Sequence, residues 1–380
     1  MKFVDEGDDY GQRFQNEEHA DEGAGRALVT GEASGQWLHA ARARLSRARR
    51  GFSTRRADIS EAEYLLTGGV VPQPGDLVLA QVTNIGQHTR IEQPDGRRAQ
   101  LYVGDEIVVA YGNRYAPDQF EAEVPDDLGA CHLVAAGGIA SQLINKNSRM
   151  KNPTRITPIG LLADADLKPL NLKKWRVDGQ SIPKQLPPVI VVAGTAMNAG
   201  KTTAAARLIK GLERAGKRVG GAKVTGTGAG GDYWQMKDAG AVDVVDFTDA
   251  GYASTYLLGT KELEQGFLRL LSYLGNRNLD AIVVEVADGI LQTETAELLA
   301  SRGFGFYCSK LIFAASDAIG AHAGVQWLHS KGLKVGAISG SLTASPLAVR
   351  EAMTATGLPV LSKQALADPD VALGLLGESA

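Results

Sequence analysis

A chain of 380 residues, 44% apolar and 22% charged, is long enough for two or three folded domains and does not have the composition of a disordered or fibrous protein. Its net charge of -3 excludes a general attraction to nucleic acid or anionic lipid, and two cysteines, Cys131 and Cys308, exclude a disulfide framework. No apolar run approaches the ~20 residues that span a bilayer. The opening MKFVDEGDDY is acidic and lacks the basic-then-apolar order of a signal peptide. A cytoplasmic protein with no membrane partner is expected.

Residues 1–67 read as an acidic tail followed by a basic helical segment. Eight acidic side chains fall within residues 1–23, a composition that predicts a mobile tail. Seven arginines then lie between Leu38 and Arg56, and Trp37, Ala41, Leu45 and Ala48 recur at helical spacing. This basic helix either clamps phosphate or RNA, or packs as a solvated face against an acidic neighbour.

Residues 68–177 change to a period of two. PGDLVLAQV, HTRIEQPDGRRAQLYV and DEIVVAYG alternate apolar and polar residues between turn pairs, and Asp95-Gly96 marks a hairpin. A small β-rich barrel or sandwich is expected. DLGACHLVAAGGIASQLI reads as a strand, a glycine turn and a helix. In YGNRYAPDQFEAEVP, Arg114, Tyr115 and Asp118 either hold a substrate anion or belong to a loop closing the barrel. The proline-containing stretch 178–188 reads as a linker.

Residues 189–380 read as an α/β domain. The apolar runs 189–193, 218–224, 242–247, 280–286, 310–316, 334–340 and 358–362 alternate with helical stretches, as buried strands of a mostly parallel sheet do. The first run leads into GTAMNAGKTT and an alanine-rich helix. This is the strand, glycine turn and helix of a phosphate loop. Backbone N–H groups across Gly194, Thr195, Asn198, Ala199, Gly200, Lys201, Thr202 and Thr203 are expected to wrap the phosphates, helped by the helix N-terminus. Lys201 reaches the β/γ oxygens, and the Thr202 hydroxyl ligates magnesium.

The usual loop has four residues between its first glycine and Gly-Lys; this one has five. The wider loop resembles that of dethiobiotin synthetase, Gly-Thr-Asp-Thr-x-Val-Gly-Lys-Thr, matched at Gly194, Thr195, Gly200, Lys201 and Thr202. GGAKVTGTG resembles the same family's Lys-Pro-Val-x-Ser/Thr-Gly, which implies that Lys223 faces substrate and phosphate. DAIVVEVADGI resembles its Asp-x-x-x-Val-Glu-Gly-Ala-Gly-Gly, which implies that Glu285 is a magnesium carboxylate. GGDYWQMKDAGA falls where that family has another magnesium-binding aspartate. It also resembles a segment of the guanine-nucleotide-binding protein of molybdopterin dinucleotide biosynthesis. Asp232 is the candidate, with Asp238 as the alternative. The chain departs from the family at Ala196, Met197 and Asn198 inside the loop, and at Val286-Ala287-Asp288-Gly289 after Glu285.

The resemblance implies an enzyme of ligase or kinase type that uses ATP and Mg2+ to activate a small-molecule acceptor. Lys201, Lys223 and Glu285 would be its catalytic residues, and Thr202, Asp232 and Glu285 its metal ligands. Fold analogy suggests a homodimer. Two other readings stand beside it. One is a nucleotide-dependent regulatory protein that binds RNA or a protein partner through the basic helix and barrel. The other is an acyltransferase, since the wide loop also resembles that of P-loop D-amino-acid N-acyltransferases, where it holds coenzyme A phosphates. Asp317 and His322, with His329 one helical face along, and Ser339 and Ser341 are further crevice candidates. Pro346 is explained by helix capping. No zinc-ligand spacing is present.

Overall fold

The computed structural model describes residues 38–39, 42–179 and 181–377. The acidic tail expected over residues 1–23 lies outside them.

Of the basic helix expected up to Arg56, the described residues form an α-helical turn at Arg42–Leu45 and a 3-10 turn at Phe52–Thr54. Between them Arg49–Arg50 pairs in parallel with Ile107 and Val108. The arginines find fixed tertiary partners instead of a helical face. Arg44 Nη2 reaches Glu106 Oε1 at 2.6 Å, Arg49 Nε reaches Asp105 Oδ2 at 3.1 Å, and Arg50 donates to the carbonyls of Thr54 and Ala57. Strand pairing and ion pairs outweigh a weak helical preference.

The first half builds a closed ring of five strands: β1 (Leu77–Asn84), β2 (Glu106–Tyr111), β3 (Cys131–Ala135), β4 (Ile139–Lys146) and β5 (Thr154–Ala163). β1 pairs antiparallel with β2, and β2 pairs in parallel with β4. β4 then pairs with β3, β3 with β5, and β5 returns to β1, all antiparallel. A barrel, rather than a sandwich, results. Val78, Ala80 and Val82 point inward with Ile107, Val109, Tyr111, Leu133 and Ile156. Leu77 and Leu79 point outward and are covered by Leu45, Leu65, Leu172 and Ala253. β1 is therefore apolar on both faces over its first half.

Two expectations here need correction. GGIASQLI is not a helix but strand β4, because its backbone completes ladders with both β2 and β3. LPVLS, the seventh apolar run, makes only a single bridge, between Val360 and Ile338. Its Pro359 has no N–H to offer a ladder.

The second half is a six-stranded, wholly parallel sheet of β6 (Val189–Gly194), β7 (Val219–Lys223), β8 (Asp243–Asp246), β9 (Ala281–Glu285), β10 (Lys310–Ala314) and β11 (Val335–Ser339). Their spatial order is β8-β7-β9-β6-β10-β11. One face packs on α1 (Lys201–Arg214) and α2 (Gly231–Asp238) through Ile190, Val192, Leu208 and Met236. The other packs on α3 (Thr260–Gly275), α4 (Thr293–Ala300) and α5 (Ala318–Ser330) through Val191, Phe267, Leu298 and Phe313. Burial on both faces is why these strands read as unbroken apolar runs.

The barrel sits against the loops at the C-terminal edge of this sheet. Gly137 packs so closely on the Gly228-Ala229 backbone that a Cβ would lie 2.3 Å from the Gly228 carbonyl oxygen. The Glu92 carboxylate accepts from the Gly230 N–H at 2.8 Å, just ahead of α2. Arg55 stacks over Phe52 at 4.1 Å and binds Asp246 at 3.0 Å, together with Asp249 and Thr248. The barrel thus grips the helix that carries Asp232.

Candidate nucleotide site

The site forms where β6 turns into α1. Gly200 adopts φ 100°, and a Cβ there would meet Gly340 Cα at 3.0 Å and Ser341 N at 3.1 Å. Only glycine combines that backbone angle with such a close approach. Asn198 is also left-handed, at φ 64°, a conformation asparagine tolerates better than most residues. The turn drops straight into α1 with no side-chain cap. Its first-turn N–H groups therefore face the loop without intrahelical acceptors. Lys201 is buried, and its ammonium donates to the Ala196 carbonyl at 2.8 Å, folded across the loop.

The neighbouring strand ends supply the charges. Lys223 and Glu285 are directly paired residues at the ends of β7 and β9. Asp232, in the first turn of α2, forms an ion pair with Lys223. Between the two carboxylates stands Thr202, whose Oγ1 is 2.8 Å from Glu285 Oε1 and 3.1 Å from Asp232 Oδ1. One hydroxyl proton can satisfy only one of them at a time. Glu285 is 1% exposed, and its Oε2 is buried with no partner.

Burial, reinforced by the charge of Asp232, pushes the Glu285 carboxyl up to about 7. Burial also opposes ionisation of Asp232, but the Lys223 ammonium outweighs it and holds that carboxyl below its usual range. Lys223 is itself penalised by burial, yet Asp232 and Glu285 raise it above an ordinary lysine. Lys201 is lowered by burial, partly offset by Glu285 and Asp288.

These groups surround a cavity of about 390 Å³ lined by Met197, Asn198, Gly200, Lys201, Thr202, Thr203, Lys223, Asp232, Gln235, Glu285, Ala287 and Asp288. Among the described residues no group of three or more histidine, cysteine or acidic side chains forms a metal cage. The donor set nevertheless fits magnesium, which takes one or two carboxylates and completes its shell with water and substrate phosphate. The unpartnered Glu285 oxygen and the shared Thr202 hydroxyl are the observations behind that fit.

The other candidates separate clearly. Gly194 ends β6, and the Thr195 N–H is already bonded to Ala314 O at 3.0 Å. The Ala199 carbonyl accepts from Ser341 N at 2.9 Å, so the loop is braced from behind. Asp238 is exposed at the far end of α2 and is absent from the cavity lining. Asp317 caps α5 by accepting from the Gly320 N–H. His322 lies within hydrogen-bond distance of Ala355 O and of Gln326, away from the loop. Ser339 donates to Leu361 O at 2.7 Å, and Pro346 begins a helix (Pro346–Thr356) capped by Ser345.

Arg114 donates to Val134 O and to Gln119 Oε1 at 2.9 Å, which makes it a brace within the barrel. Asp118 is different. Its Oδ2 accepts from Asn198 Nδ2 at 3.0 Å, so a barrel loop touches the phosphate loop. Sequence reasoning missed that contact and missed Asp288 as a lining residue. An acidic side chain three positions past a strand-end glutamate was the available signal.

Strand order, the glycine turn and the buried Lys201 together give the second half the architecture of a P-loop nucleotide-binding domain. No protein-family model matches the chain, and no curated protein matches it. Among solved structures it is similar to the signal recognition particle 54 kDa protein of Aeropyrum pernix in complex with GDP. The TM-score is 0.34 and the identity 21%, over 50% of this chain and 45% of that one. It is similar to the signal recognition particle receptor FtsY of Elizabethkingia anophelis, with TM-score 0.32 and 14% identity over 47% and 58% of the two chains. A DUF1611 family protein of Anabaena variabilis gives TM-score 0.37 and 16% identity over 53% and 61%. The chain thus spans about half the length of the first of these structures, and likeness at this level assigns neither ligand nor activity.

Proposed function

We propose that this protein is a Mg2+- and ATP-dependent enzyme of kinase or ligase type that transfers the γ-phosphoryl group to a small-molecule acceptor. The observation that carries the reading is the placement of Thr202 between Asp232 and Glu285, on a cavity that also holds Lys201 and Lys223. Loop amides and the α1 N-terminus would bind the β- and γ-phosphates. Lys201 would leave the Ala196 carbonyl for a phosphate oxygen, and Lys223 would face charge spreading over the transferred group. Thr202, Asp232 and Glu285 would hold magnesium, which would supply positive charge to offset that of the phosphates.

A second cavity of about 450 Å³ shares Asn198, Gly200 and Thr203 with the first and extends past Ser339, Ser341, Thr343, Lys363 and Gln364. A base and ribose would occupy it. Among the described residues no carboxylate lines it, and a charged acceptor would favour the N–H-donating edge of guanine; this supports ATP as the donor. The arginine-rich segment supports a small-molecule enzyme over an RNA switch. Arg44, Arg49, Arg50 and Arg55 are all spent on Glu106, Asp105, backbone carbonyls and the Asp246–Asp249 pair.

Calorimetric titration with Mg–ATP and Mg–GTP tests this reading. Saturable 1:1 binding that prefers ATP and requires Mg2+ is expected. Absence of nucleotide binding would overturn it.

A further inference from the structure

We propose that Asp288 is the proton acceptor for the attacking group, and that the acceptor attacks through an O–H or N–H rather than through a carboxylate. The inference rests on the phosphoryl-transfer reading above and adds to it the chemistry of the other substrate.

Asp288 lines the same cavity as Lys201, Thr202 and Lys223, three residues beyond Glu285. Its carboxylate feels the ammonium groups of Lys201 and Lys223, yet none of the hydrogen bonds or ion pairs found among the described residues reaches it. Thr202, Asp232 and Glu285 make a bonded cluster around the metal position; Asp288 belongs to the cavity but not to that cluster. It also stands where the resembled pattern Val-Glu-Gly-Ala-Gly-Gly has glycine.

The barrel contributes a second carboxylate at this end. Asp118, on the loop between two short strands (Arg114–Tyr115 and Phe120–Glu123), holds Asn198 with one oxygen. Its other oxygen, Oδ1, is buried and has no partner. The charges of Asp118 and Arg114 both act on Asp288. Arg114 spends Nη1 on Val134 O and Nη2 on Gln119 Oε1, and its Nε is buried without a partner. The lysines and magnesium ligands would therefore serve the phosphates, while Asp288 lines the cavity with no bonded partner and the charge of Asp118 adds to its own. Such a surface matches a hydroxyl, an amine or a water molecule, each of which donates a hydrogen bond, and repels a carboxylate.

The step balances without a further reactant. A lone pair on the acceptor oxygen or nitrogen forms the bond to the γ-phosphorus. The bond from phosphorus to the β,γ-bridging oxygen breaks, and its electron pair leaves on ADP. The proton released by the acceptor passes to a carboxylate oxygen of Asp288.

The test uses the full chain with water as the acceptor, measuring steady-state hydrolysis of Mg–ATP by the parent, Asp288→Asn and Asp288→Glu. The expected result is a fall in kcat of about 100-fold or more for Asp288→Asn, with partial recovery in Asp288→Glu. The KM for ATP and the half-saturating Mg2+ concentration should stay within about threefold of the parent. Equal kcat in Asp288→Asn and the parent would overturn the proposal. So would a loss of kcat that excess Mg2+ restores, which would make Asp288 a metal ligand. Formation of acetyl phosphate from acetate and Mg–ATP would overturn the exclusion of carboxylates. A parent protein that fails to bind Mg–ATP would remove the underlying phosphoryl-transfer reading, whereas a parent that hydrolyses ATP alongside an unaffected Asp288→Asn removes this inference alone.

Discussion

Thr202 and Glu285 are 83 positions apart in the chain, yet the threonine hydroxyl lies 2.8 Å from Glu285 Oε1. The other oxygen of that carboxylate is buried without a partner. An isolated buried carboxylate is costly, and here the deficit lies beside the helix turn that would meet a nucleotide. On the proposed reading these groups would form part of a coordination shell, with the hydroxyl offering a lone pair to the cation instead of donating to Glu285.

Glu285→Gln keeps the size of the side chain and removes its charge. Magnesium-dependent turnover should fall about 10- to 100-fold, while the Kd for nucleotide changes far less because the loop amides and Lys201 remain. Parallel measurement of kcat and of nucleotide Kd checks this. Unchanged turnover would take Glu285 out of the metal position.

The same residue sets a pH dependence. Burial and Asp232 push the Glu285 carboxyl up to about 7 from an ordinary 4.5. A group raised in the folded state contributes stability that is fully present below its unfolded value and is lost as pH rises through the folded one. Metal-free protein should therefore lose part of its thermal stability between about pH 5 and pH 8, and Glu285→Gln should flatten that decline. Magnesium affinity should run the other way, weakening as pH falls through 7, because the cation must displace a proton. Melting curves across this range, with and without Mg–nucleotide, measure both.

Lys201→Ala should weaken nucleotide binding by about 2 to 3 kcal/mol, the worth of hydrogen bonds to a charged group, or roughly 30- to 150-fold in Kd. The fold should survive, since burial already works against this ammonium. Calorimetry alongside a melting curve separates the two effects. Equal affinity in the variant would contradict the phosphate-loop assignment.

Arg55 joins the N-terminal half to the α/β half through Asp246, Thr248 and Asp249, all buried on the α/β side. Burial raises the Asp249 carboxyl to about 6 even with Arg55 beside it. Arg55→Ala leaves two neighbouring buried carboxylates short of their cation and should cost about 3 to 5 kcal/mol. Chemical denaturation measures the loss; an unchanged midpoint would mean that solvent replaces the guanidinium.

How much of this could be read from the sequence depends on how local each feature is. Val189–Gly194, the glycine turn and Lys201–Arg214 form one contiguous unit, so the loop was legible from spacing and context. Strands covered on both faces announced themselves as apolar runs, except LPVLS, where a proline and a single bridge leave no strand. Arg49–Arg50 and the segment 139–146 read as helical in the sequence yet form strands, because their conformation is decided by ladder partners far along the chain. Asp232 and Glu285 were reached through a resemblance, not through geometry. The meeting of Asp118 with Asn198 had no sequence signal, since it depends on how the barrel docks on the sheet edge.

The most direct measurement is a crystal structure of the protein with Mg2+ and a non-hydrolysable ATP analogue. The account predicts a metal about 2.1 Å from Thr202 Oγ1, with Asp232 and Glu285 as direct or water-mediated ligands. The terminal phosphate should lie against Lys201 and Lys223, and the base should fall in the cavity beside Ser341 and Gln364. Nucleotide bound elsewhere, or bound in the loop with Thr202 still donating to Glu285, would contradict it.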